Sequence, residues 1–101
     1  MSDELIQRMP AIIARAAANM TRARGTGELV VTGRAIRDAA KAIGFDQAIS
    51  PRALRAAMIA AGASFHNRGP VCAKYIFKGC LRPTEAMDRA AANLKTIKDS
   101  K

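Results

Sequence analysis

The side chains with the most chemical capability are few and scattered. His66 is the sole histidine, and Cys72 and Cys80 are the two cysteines. Their spacing is His-x5-Cys-x7-Cys, with no fourth Cys or His to complete a set. Structural zinc sites use close cysteine pairs and four ligands, so this trio does not read as a metal centre. Nucleophilic or acid–base catalysis needs a base held by a third group. A lone histidine, lone thiols and dispersed carboxylates offer no such arrangement. Gly25-Thr26-Gly27 precedes a strand pattern instead of following one, and it lacks the lysine and spacing of a phosphate-cradling loop. The expectation is a protein that is not an enzyme and needs neither cofactor nor metal.

The remaining chemistry belongs to arginine and lysine. There are 17 Lys+Arg against 8 Asp+Glu, a net charge of +9 on 101 residues. Such an excess points to a polyanionic partner: DNA, RNA or anionic lipid. The length sets a single domain over residues 1–101 as the expectation, with a core at about 5–82 and a C-terminal helix at about 84–98. No apolar run approaches the roughly 20 residues that span a bilayer. Ser2, Asp3 and Glu4 carry the wrong sign for a secretory leader, so a cytoplasmic protein with reduced cysteines is expected. Arg8, Arg15, Arg22 and Arg24 have no Trp or Phe beside them, which speaks against a membrane-surface helix.

The elements that must position these charges follow from apolar spacing. Residues 3–24 read as helix, with Leu5, Met9, Ile12, Ile13, Ala16 and Met20 on one face. Pro10 either kinks it or lies in the first turn of a helix beginning near Met9. Residues 28–32 are a strand candidate, dense in β-branched side chains. Thr32 then caps a helix over 33–43, with Ile36, Ala39, Ala40 and Ile43 inward and Gly44 as its stop. Ser50 as cap and Pro51 at the first position open a third helix, which ends at Gly62. Its buried stripe is Leu54, Ala57, Met58 and Ala61. The alternation in 63–67 and 71–78 around Arg68-Gly69-Pro70 predicts a β-hairpin with Tyr75 and Phe77 inward and Lys74 and Lys78 outward. Pro83 and Thr84 begin a final helix. The alanine-rich composition implies a modest core with few large anchors.

The order helix, strand, helix, helix, hairpin resembles the winged helix-turn-helix superfamily. The chain is similar to the small winged-helix modules of phage and plasmid replication proteins, where a helix ending in glycine runs into a basic hairpin. The fold class expected is therefore α+β, mainly α: three helices, a short strand, a two-stranded wing and an added C-terminal helix.

The resemblance implies a double-stranded DNA partner. Helix 51–61 would enter the major groove with Arg52, Arg55, Ala56 and Ile59 facing the bases and Ser50 among the DNA contacts at its start, since Arg pairs bidentately with guanine and apolar groups meet thymine methyls. Arg34, Arg37 and Lys41 would lie near phosphates. Arg68 would sit at the wing tip, flanked by His66, Asn67 and Lys74. Residues 63–82 carry Arg68, Lys74, Lys78 and Arg82 and no acid, which suits a phosphate-tracking wing. The departure is the turn: Gly44 to Ile49 separates the two helices by six residues, where a compact helix-turn-helix uses three or four.

Such a protein would be a transcriptional regulator or replication accessory of bacterial, phage or plasmid origin. The alternative is a mobile-element interaction protein, for example an anti-defence inhibitor, docking on a host protein or nucleoprotein complex. Ile59 could equally pack under the wing. The tail stripe Met87, Ala90, Ala91 and Leu94 has two uses. Most such stripes cover the domain's own first helix. Groove readers usually work in pairs, so a homodimer through these residues is the expectation slightly favoured.

Overall fold

The computed structural model describes residues 3–67 and 73–99, and within these the side chains of Asp3, Asn67 and residues 96–99 are not discussed. Helix α1 spans Asp3–Ala16 and is followed by a 3-10 turn, Ala17–Asn19. Strand β1 is Thr21–Arg22 and β2 is Leu29–Thr32. Helices α2 and α3 are Gly33–Ala42 and Pro51–Ala60. Strands β3 and β4 are Ser64–Asn67 and Ala73–Phe77, and α4 is Pro83–Asp99. The fold is α+β and mainly helical, with four helices and a four-stranded antiparallel sheet of order β1-β2-β4-β3. No helix among the described residues is long and apolar enough to cross a membrane.

Helix α1 keeps the expected start and departs from the expected span at its end. Pro10 lies inside the helix, which starts at Asp3 and not near Met9. The helix stops at Ala16 instead of running to 24. Met20 turns to extended backbone, and Thr21 and Arg22 pair with Val30 and Leu29. The reason is the return loop: Gly25 and Gly27 adopt φ of 91° and 71°, where other residues are strained. Ala23 N–H donates to the Glu28 carbonyl at 2.8 Å, closing a hairpin that a helical continuation would forbid.

Both internal caps form as their residue types require. The Thr32 hydroxyl accepts from the Ala35 N–H at 3.1 Å, and the Ser50 hydroxyl accepts from the Ala53 N–H at 3.1 Å. Pro51 occupies the first turn of α3, where its missing N–H is no loss. Helix α4 begins at Pro83, one residue before the expected cap.

The core lies between the helices and one sheet face. Leu29, Val31, Tyr75 and Phe77 point into it and are buried, while Lys74 and Lys78 are exposed. Leu54, Ala57, Met58 and Ala61 of the α3 side are buried as a stripe. Large anchors are more numerous than the composition implies: Met9, Ile12, Ile13, Ile36, Leu54, Met58 and Leu94 join Tyr75 and Phe77. Each contributes about 1.5–3 kcal/mol by leaving water. The alanines set the helix spacing between them.

The tail stripe is used within the chain. Ala90 and Leu94 are buried in the core, and Met87 is half-buried against it. Ala91 is exposed. Asn93 fastens α4 by donating to the Ala61 carbonyl at 3.2 Å, and Arg89 donates to the Lys78 carbonyl.

Candidate nucleic-acid interface

The long turn before α3 is held at both ends. Gly44 takes φ 91°, which lets Phe45 N–H reach back to the Ala40 carbonyl at 2.9 Å and Gly44 N–H to the Lys41 carbonyl at 3.0 Å. This left-handed helix stop drives the Phe45 ring into the core, where it is buried. At the far end Arg37 donates to the Ile49 carbonyl at 3.0 Å. Arg37, which helix periodicity places on the outward face, is thereby a half-buried brace of the turn.

Beyond this turn α3 presents an outward face. Arg52 and Arg55 are exposed, and Ile59 is 52 % exposed. Ile59 therefore does not pack under the hairpin among the described residues. Ala56 is half-buried, so it contributes less to that face than its stripe position implied. The Arg55 guanidinium sits 4.2 Å from the centroid of the Phe65 ring. Phe65 in turn meets Tyr75, with ring centroids 5.5 Å apart. This stack ties α3 to β3 and orients the Arg55 head by cation–π attraction. Arg34 and Lys41 are exposed on α2.

His66 and Lys74 lie elsewhere. They are directly paired across β3 and β4 and alternate with Phe65 and Tyr75, so they occupy the opposite face of the sheet. There they line a groove together with Arg22 and Arg24, which helical periodicity alone assigns to a longer first helix. A hairpin signal is present in Thr21-Arg22 and Gly25-Thr26-Gly27, but the apolar period of α1 conceals it. Asn67 pairs with Ala73 at the end of the hairpin. Arg68 and Cys72 fall outside the described residues.

Burial raises the pKa of two groups near these elements. The Tyr75 hydroxyl is pushed above its ordinary value of 10.0 by desolvation, partly offset by Arg37 and Arg55. The Cys80 thiol is pushed above 9.0 by desolvation; Arg89 lowers it, whereas Glu85 and Glu28 raise it further. Both groups favour their neutral form in the fold. Their contribution is fully present below the unfolded values and is lost as pH rises through the folded ones. The urea midpoint should fall as pH climbs past about 9, and Cys80→Ala should make that fall shallower. An unchanged midpoint up to about pH 11 would contradict the burial of these groups.

The described residues contain no cluster of three or more His, Cys, Asp or Glu that could hold a metal. Compared with protein-family models, curated proteins and solved structures, the chain finds no match.

Proposed function

We propose that this chain is a DNA-binding protein of the winged-helix type, acting as a transcriptional regulator or replication accessory and not as an enzyme. The order α1, β2, α2, α3, β3, β4, with β4 between β2 and β3, supports this reading. The observation that carries it is the outward face of α3. Arg52 and Arg55 are exposed there on a helix whose other face is buried, and Phe65 pre-orients Arg55. An arginine held in one direction loses less freedom on reading a guanine edge. Arg34 and Lys41 of α2 lie on the exposed side and supply phosphate contacts.

Titration of labelled duplex DNA over a salt series tests the proposal. Affinity should fall linearly on a logarithmic salt scale. The slope should shrink by about 0.9 for each phosphate that is no longer neutralised, as in Arg34→Ala. The Arg52→Ala, Arg55→Ala double variant should bind its best duplex at least about 30-fold more weakly, each bidentate arginine being worth about 1–3 kcal/mol. A flat salt response, or unchanged affinity in the double variant, would refute it.

One observation favours a second reading. An isoleucine 52 % exposed one helical turn beyond Arg55 is also what a protein-docking helix presents. Under that reading the domain binds a host protein, and a nuclease-treated pull-down retains one stoichiometric partner that Ile59→Asp releases.

A further inference from the structure

The outer sheet face carries a groove of about 490 Å³, separate from the α3 face. Strand register builds it. Thr21, Val30 and Ile76 are consecutive partners across β1, β2 and β4, so they share one row on that face. Val30 and Ile76 are half-buried and form an apolar floor. Lys74 stands at the hairpin end, next to Thr32 in register. Arg22 and Arg24 stand at the other end, brought there by the return loop. Among the lining residues three cations face one carboxylate, Glu28. That carboxylate accepts from the Gly79 N–H at 2.7 Å and is drawn toward the turn after β4.

We infer that this groove docks an extended acidic peptide segment of a partner protein, with an apolar side chain on the Val30–Ile76 floor and carboxylates at both cationic ends. Charge decides the sign of the occupant, and the floor decides its class. A phosphate backbone would satisfy the cations but would cover apolar surface with solvated oxygens, at a desolvation cost. Single-stranded bases would use such a floor through stacking on Phe, Tyr or Trp, none of which lines this groove among the described residues; the ring present is the His66 imidazole, at the Lys74 end. An extended peptide rises about 3.3 Å per residue and points alternate side chains to one side. Acid and apolar groups two positions apart therefore match the order cation, floor, cation. The surface is independent of α3, so it stands or falls separately from DNA binding.

The test uses the full chain and two fluorescein-labelled heptapeptides of Glu and Asp, one with a central leucine and one with serine there. Binding is read by anisotropy and by amide shifts in two-dimensional NMR. The leucine peptide should shift Thr21, Arg22, Val30, Lys74 and Ile76 and bind several-fold tighter than the serine peptide. Arg22→Glu with Lys74→Glu, both exposed positions, should weaken it at least tenfold with thermal melting unchanged. The Arg52→Ala, Arg55→Ala variant should bind it normally. Three results would each overturn the inference: equal binding of the two peptides, indifference to the charge reversals, or shifts confined to α3. So would an oligothymidine that occupies the same residues more tightly than the leucine peptide.

Discussion

Phe45→Ala is expected to destabilise the protein by about 3–5 kcal/mol, as removal of a buried phenylalanine does when the cavity cannot collapse. The effect should exceed that of other single truncations in loops because Phe45 serves two elements. Its ring is in the core, and its N–H closes the stop of α2 on the Ala40 carbonyl. The backbone bond survives the substitution; the packing of the ring does not. Arg37→Ala removes only the hydrogen bond to the Ile49 carbonyl and should cost less, about 0.5–1.5 kcal/mol. Urea unfolding of both variants measures the difference. A loss below about 1 kcal/mol for Phe45→Ala would mean that the turn is not anchored by its ring. The consequence for function is direct: the six-residue turn sets where α3 lies on α2, and it does so as a packed element.

Gly62→Ala is the second substitution with a large expected cost. Gly62 has φ 101°, a region in which a Cβ strains the backbone. A Cβ there would also stand 2.8 Å from Cδ of Arg89 and would overlap Nδ2 of Asn93. Those are the side chains that fasten α4 to the Ala61 and Lys78 carbonyls. The same substitution at Gly25, with φ 91° and nothing within 4 Å, isolates the backbone share. Gly25→Ala should cost about 1 kcal/mol and Gly62→Ala about 2–4 kcal/mol, the excess reporting displacement of Arg89 and Asn93. Equal losses at the two sites would show that α4 tolerates the intrusion. Hydrogen exchange should locate the extra loss in α4, whose amides would open before those of β4.

Several features of this molecule are local and legible from residue types. Thr32 and Ser50-Pro51 start helices because a hydroxyl beside the first free N–H groups does so in almost any context. The hairpin alternation puts Tyr75 and Phe77 inside and Lys74 outside because a strand has a period of two. The stripe Leu54, Ala57, Met58, Ala61 follows from the helical period in the same way.

Other features require distant partners. Residues 20–22 carry the tail of a helical pattern, but two glycines and the pairing edge of β2 make them turn back. Phe45 shows no periodicity, since its burial depends on one glycine taking positive φ. Arg37 lies where a phosphate contact would, yet a carbonyl twelve positions along captures it. Ala90 and Leu94 offer the same stripe to α1 and to a second copy, and α1 is tethered at high effective concentration.

The sequence by itself determined the balance of charge, an excess of nine positive charges, and the helix starts that expose Arg52 and Arg55. Only the tertiary structure decided how the positive charge divides. Sheet register sends Phe65 and Tyr75 to one side, where Phe65 holds Arg55, and sends Lys74 to the opposite face, onto a groove that Arg22 and Arg24 also line. Charge is a property of composition, whereas the face on which a charge stands depends on which strand pairs with which.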